Sequence, residues 1–435
     1  MSARARLIAL LLTVLSLGLT AQYVRHWTAI PDNLARTSDF AGSYVAATLW
    51  RDGRGSAVYD DAAEQAVLAA EGVPRGHDRI PFENPPGALW PAAVTTALTP
   101  ENAYRAWSLL QLLLAFAALL IVARAAPWPA RAGPFVRVAA VAVGMGALPV
   151  ALLFTEAQWD GLSMIGLAAA YSSWRRGRPL AGGFALGLLG SIAKPHLLIG
   201  VAAFLAGRRQ WRALGGLVAG GAVTLLAALA AVGPEGLATY ARIVVTPANS
   251  PATQMLSLTG LAASWLGSGG LVSLLTYAGD AILLAAAALA GRRSRGDASW
   301  LEAGLFTAVA LGLVATPHLL VHDLTLVAPV ALALFARTGS VTLDGGRWPG
   351  PWSTALLLAW GALDVTARLD LGNAATAPPG RLVPVTLLFT GMLGWVMLRR
   401  QRTQPAPGTT QRTRATLIDA REPSRRRRAA LTDFS

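Results

Sequence analysis

The chain has no cysteine and a single lysine among its 435 residues. The first absence excludes a disulfide framework, a thiolate nucleophile and a cysteine metal site. The second is a contrast, because the same chain carries 36 arginines. Charge of any kind is scarce: 14% of residues are Asp, Glu, Lys or Arg, against 54% hydrophobic. Soluble globular domains hold about 25% charged residues, so that class is excluded. The apolar residues fall into blocks of about 15–20, the length that crosses a bilayer core as a helix. This composition predicts an all-α polytopic membrane protein.

The formal charge of +14 would suit nucleic acid, but the arginines flank apolar blocks and fill the tail. There they orient helices and meet anionic headgroups, and no nucleic-acid partner is expected. Cytoplasmic loops carry the Lys/Arg excess, so the clusters "RAAPWPARAGPFVR", "RRGR", "RRQWR", "GRRSRG" and "RRQR" mark the inner side. Spans are predicted near 7–25, 104–123, 138–154, 160–174, 213–232, 271–290, 300–316, 320–336, 351–366 and 382–398, with shorter runs at 180–193 and 197–207. That makes about 12 spans with both termini inside. Residues 1–400 form the membrane domain, with 26–103 as the first outer segment, and 401–435 read as a disordered basic tail. The N-terminal run extends to about Val24 and reads as a retained helix rather than a signal peptide.

The lone lysine, Lys194 in "SIAKPHLLIG", falls near the outer side on this topology, together with Asp39, Asp160, Arg242, His318 and His322. Ionisable groups at membrane depth are costly and usually line a polar cavity, so one outward-facing site is expected. An ammonium there either snorkels to the interface or meets a phosphate as a compact point charge. The segment 37–60 predicts an amphipathic helix starting at Thr37 or Ser38 and ending at Gly53, with Asp39 in its first turn. That carboxylate either complements the helix dipole or removes a proton as a general base. In "IPFENPPGALWPAAVTTAL" the double proline sets an extended entry, and the short apolar run after it predicts an interfacial helix.

Several stretches resemble one family: "SDFAGSYVAA" and "RDGRGSAVYD" after the first helix, "FENPPGALWP", "AQWDGLSMIGLAAA", "LAGGFALGLLGSIAKPHLLIGVAAFLAGRRQWRA", "TQMLSLTGL" and "ATPHLLVHDLTLVAPVALAL". Their order and content are similar to the polyprenol-phosphate-mannose-dependent mannosyltransferases, glycosyltransferase family 87 of the GT-C superfold. The resemblance implies a GT-C-type helical bundle with interfacial helices in the first outer loop. It also implies an inverting transferase that uses a polyprenyl-phosphate sugar donor, with mannose as the sugar, and a glycolipid or glycan acceptor. The site would face outward from the plasma membrane of a bacterium, within the lipid bilayer. Asp39 matches the catalytic carboxylate. Many relatives carry a paired acidic motif and a metal; here Phe40 follows Asp39, so neither metal nor cofactor is expected. Lys194, Arg242 and His322 are candidates for the donor phosphate, and Tyr44, Asn84, Asp160, Gln254 and His318 for other substrate contacts. Relatives tend to show a histidine pair where this chain has His322 and Asp323, which leaves the acceptor side open. A transporter or lipid-sugar flippase is the alternative class; it predicts charges at the bilayer midplane and repeat symmetry, whereas this chain concentrates charge at the outer face.

The absence of cysteine makes the topology testable. Asn33→Cys is expected to react with a membrane-impermeant thiol reagent on intact cells, and Gly133→Cys only after permeabilisation. The reverse pattern would overturn the assignment of sides.

Overall fold

The structure, a computed structural model, describes residues 3–71, 81–130, 132–245, 252–267, 269–296, 300–341, 351–372 and 382–401. His77 and the tail from 402 lie outside the described residues. Among the described residues all regular structure is helical. The first helix, α1 (Ala3–Thr28), leads into the short α2 (Asp32–Ala35), then α3 (Asp39–Arg51), α4 (Asp61–Ala70) and α5 (Leu89–Ala93). The bundle continues with α6 (Pro100–Ala125), α7 (Pro134–Met145), α8 (Leu148–Thr155), α9 (Asp160–Arg175), α10 (Pro179–Ser191), α11 (Ile199–Arg208) and α12 (Trp211–Val245). It ends with α13 (Leu258–Leu266), α14 (Gly270–Arg293), α15 (Leu301–Val314), α16 (Val327–Val341), α17 (Pro351–Gly372) and α18 (Leu382–Gln401).

Every predicted span is helical; among the described residues six helices are long and apolar enough to cross a membrane, or seven if one bent pair counts as a span. Four of the predicted spans depart from a single straight helix of bilayer length. The block at 138–154 is two helices, α7 and α8, bent by 55° at Gly146–Ala147. Pro149 in the first turn of α8 has no N–H to continue the ladder. The groups freed there are satisfied: Tyr23 donates to the Met145 carbonyl (2.8 Å), and the Leu148 N–H donates to Asp364 (2.6 Å). The α15 helix is short and buried on every face, and its one charged residue, Glu302, accepts from Tyr171 (2.9 Å). The apolar run to 232 does not end in a loop: α12 turns at Gly233, in the left-handed region (φ 70°), and runs on to Val245. At 320–336 the span opens with a tight helical turn, Val321–Leu326, before α16.

Two apolar cores result. One runs through the bundle and includes Phe154, Tyr171, Phe204 and Phe306. The other packs α3 and the first outer segment on the head of α6, with Phe40, Tyr44, Trp107 and Trp159 inside. The α3 helix was predicted amphipathic; instead Phe40 to Leu49 are all buried, because α4, α5 and α6 cover it. Residues 86–97 form short helical turns with Trp90 and Val94 exposed and Leu89 and Ala92 buried.

The α10–α12 pair is close because of glycine. A Cβ at Gly183 or Gly187 would run into the Ala213 or Leu217 carbonyl, and one at Gly216 or Gly220 into the Leu180 or Phe184 carbonyl. This is small-residue packing of membrane helices. Gly215, on the same helix α12, has nothing within 4 Å of such a Cβ. Gly187→Ala is expected to lower the melting temperature in detergent, losing about 1–3 kcal/mol to overpacking. Gly215→Ala is expected to raise it slightly through helix propensity, by up to about 1 kcal/mol.

Candidate active site

Asp39 is the first residue of α3, after Ser38 in extended conformation. Its neighbour Phe40 stacks on Trp107 (5.0 Å between centroids, 14° between planes), and Trp107 packs on Trp159 (4.4 Å). One turn on, Ser43 Oγ accepts from Trp159 Nε1 and from Asn84 Nδ2, each at 3.3 Å. These contacts fix where the start of α3 lies. Tyr44 donates to the Leu98 carbonyl (2.9 Å), and Tyr59 to the Asn84 carbonyl (2.8 Å). Tyr44 and Asn84 therefore brace α3 in the geometry described.

The turn between α8 and α9 carries three polar side chains in alternation. Glu156 meets His322 Nδ1 (3.2 Å), Gln158 donates through its side-chain amide to Asp39 Oδ2, and Asp160 accepts from Lys194 (2.9 Å). Ala157, between the first two, is buried in the left-handed region at φ 53°, an uncommon conformation for a residue with a Cβ. Lys194 occupies the break between α10 and the 195–198 turn, where Pro195 stops the helix. Its Nζ lies 2.9 Å from Asp160 Oδ2 and 2.6 Å from Asp323 Oδ1. Asp323 Oδ2 also accepts the Leu320 N–H (2.7 Å), and His322 Nε2 is 3.7 Å from Asp323 Oδ1.

Asp39, Asp160, Lys194 and His322, predicted from widely separated segments, thus form one cluster with Glu156, Gln158 and Asp323. His318 lies beside it, its ring edge-on to His196 at 6.1 Å. Gln254 is exposed, two residues before Leu256, whose N–H donates to the Leu319 carbonyl (2.8 Å). Arg242 is apart: it is exposed near the end of α12 and donates to Thr239 (3.0 Å). Sequence reasoning missed Glu156 and Gln158. The signal was present in "TEAQWDG", where polar side chains alternate toward Asp160 in an outer turn.

A cavity of about 290 Å³ opens beside Asp39 and Glu156, with His26, Ser38, Tyr104 and Thr155 on its walls. Burial and then the nearby Glu156 carboxylate push the Asp39 carboxyl up to about 6, against the pull of His322, Lys194 and Gln158. Such a group is a competent base at neutral pH. One oxygen each of Asp160 and Asp323 and one nitrogen of His322 lie within 4.8 Å of one another, a donor set of the kind that holds a metal. The Lys194 ammonium already contacts both of those carboxylates.

A family model for glycosyltransferase family 87 matches residues 82–322, more than half of the chain. The chain belongs to this family. Neither the curated proteins nor the solved structures give a match. The family 87 region runs from Phe82, before the double proline, to His322, and takes in Asp160, Lys194 and His318. Asp39 lies upstream of it and meets the matched region through Gln158. A family 87 chain is a glycosyltransferase, and its apolar helices make this one a multi-pass membrane protein.

The raised Asp39 carboxyl has a consequence for stability. From its ordinary 3.8 to about 6, the folded protein holds this proton more tightly than the unfolded chain. Stability therefore falls as pH rises through that window, and the deficit is complete above it. Asp39→Asn is expected to raise the melting temperature at pH 7.5, by an amount on the order of 1–3 kcal/mol, with no gain at pH 4.

Proposed function

We propose that the chain transfers a sugar, mannose on the family resemblance, from a polyprenyl-phosphate donor to a hydroxyl of a glycolipid or glycan, with inversion. Asp39 is the general base. The observation that carries this reading is the half-buried carboxylate with a raised pKa on the wall of a cavity, bonded to Gln158 of the turn whose Asp160 holds the Lys194 ammonium.

The acceptor O–H gives its proton to the Asp39 carboxylate as the oxygen attacks the anomeric carbon. The bond from that carbon to the phosphate oxygen breaks, and its electron pair leaves with polyprenyl phosphate as a monoester anion. Inversion requires base and leaving group on opposite faces of the sugar. Lys194 stands on the far side of Gln158 and Asp160 from Asp39 along the cluster. An ammonium has three N–H donors; Asp160 and Asp323 take two, and the reading assigns the third to a phosphate oxygen of the bound donor. His322 lies between the two ends, and Arg242 and His318 supply further positive charge or hydrogen bonds as the donor enters. Asp160 acts by holding Lys194, Gln254 and Asn84 border the entry loops, and Tyr44 supports α3. The arginine clusters lie at the opposite ends of the helices, which supports an extracytoplasmic site in a bacterial plasma membrane.

The test is transfer of radiolabelled sugar from polyprenyl-phosphate donor in membranes holding equal amounts of protein. Asp39→Asn is expected to lower the rate by about 10²–10⁴, the span of general-base catalysis. Activity within a factor of about three of wild type would overturn the role of Asp39. Movement of the donor across the bilayer without any transfer would overturn the reaction.

A further inference from the structure

At the end of the bundle opposite the candidate site, α1, α7, α16 and α17 border a groove of about 70 Å³. Its walls are carbon: Ile8 and Leu12 on α1, Ala140 on α7, Phe335 on α16, and Leu356 and Trp360 on α17. The α1 helix packs along α7, and α16 packs on both α7 and α17, so the groove is the gap between α1 and the α16–α17 pair. The residues lining it on α7, Val136 to Gly144, span about 12 Å at helical rise. That is less than half of the ~30 Å hydrocarbon core. The lining comes from the starts of α1 and α17, from the α7 half of the bent α7–α8 pair, and from Ala328 to Phe335 in the later half of the apolar stretch Val321–Thr338. All four helices therefore place the groove in one leaflet, the one flanked by arginine.

Arginines flank the helix segments that line the groove, and one of them is tied to its wall through an aromatic ring. Phe335 meets the edge of Trp128 (6.3 Å), and the Arg137 guanidinium lies over the Trp128 ring (5.8 Å). Arg137 is exposed, as are Arg6, two residues before Ile8, and Arg124, in the last turn of α6. Aromatic rings at the headgroup level and arginines facing anionic lipid are the usual furniture of an inner interface. The α1 helix is short of protein partners, with 17% of its span window buried. A carbon-lined gap at hydrocarbon depth takes hydrocarbon, and flanking arginines select the head to which that hydrocarbon is attached.

We propose that this groove binds one acyl chain of an anionic phospholipid of the arginine-flanked leaflet, with its headgroup phosphate at Arg137 and Arg6, and that the lipid completes the packing of α1 against α16 and α17. The site is separate from the transfer site and does not depend on the reaction assigned to it.

The experiment is native mass spectrometry of the full chain, purified in detergent, delipidated and titrated with phosphatidylglycerol or with phosphatidylcholine of identical chains. Wild type is expected to retain one phosphatidylglycerol at least five-fold better than phosphatidylcholine. Arg137→Gln is expected to reduce that preference to under two-fold while chain binding persists. Ala140→Phe, which fills the groove from the α7 wall, is expected to lose the retained lipid. Ala331→Phe, from the α16 wall, tests the same point if the first variant does not fold. Equal retention of the two lipids by wild type, undiminished phosphatidylglycerol on both filled variants, or its displacement by equimolar polyprenyl phosphate would each overturn the proposal.

Discussion

The candidate site depends on one buried interaction, the Lys194 ammonium held between Asp160 and Asp323 at 2.9 and 2.6 Å. The three residues come from the start of α9, the break after α10 and the turn before α16. Two buried carboxylates facing each other without a cation would be strongly unfavourable, and breaking a buried pair by removing one partner costs about 3–5 kcal/mol. The triad thus acts as a cross-brace among helices that otherwise meet through apolar side chains. It also accounts for a lysine in a chain of arginines. A compact ammonium fits between two single oxygen contacts, whereas a guanidinium offers a planar fork suited to bidentate partners.

Two polar connections lead outward from this brace. One runs from Asp323 through His322 to Glu156, and the other from Asp160 back along the turn to Gln158 and so to Asp39. Ala157 separates Glu156 from Gln158 and holds a left-handed conformation, which costs on the order of 1–3 kcal/mol for a residue with a side chain. Strain of this kind persists where the surroundings over-determine it, and here Ala157 is buried in the aromatic core under α3. The reversal at Ala157 sends the two flanking side chains to different partners. Asp39 consequently faces both a like charge and a hydrogen-bond donor from the same turn.

Much of this arrangement was legible in the sequence. Apolar blocks separated by arginine clusters marked the helices, and the ionisable residues left at the other ends marked Asp39, Asp160, Lys194 and His322 as neighbours. What the pattern did not carry was pairing. Nothing local says that Lys194 meets Asp323 from a segment more than a hundred positions away, that Asn84 reaches Ser43 of α3, or that Tyr44 of α3 reaches the Leu98 carbonyl. Arg242 shares the outer side, but among the described residues it bonds Thr239 and not the cluster, because a side assignment fixes depth and not azimuth around the bundle. The number of spans is not fixed by the pattern for a related reason. Hydropathy does not distinguish a helix facing lipid from one such as α15, which is covered on every face by other helices.

The break between α7 and α8 gives the turn a mechanical root. The α8 helix is eight residues long, a rod of about 12 Å, pinned at its first N–H by Asp364 and ending where Glu156 begins. The carbonyl just before the break is held by Tyr23 of α1. A rotation of α1 or α17 within the bilayer would therefore act on a short stiff lever whose free end carries Glu156 and Gln158. Tilt of α1 or α17 and the placement of the two side chains that face position 39 are parts of one linkage.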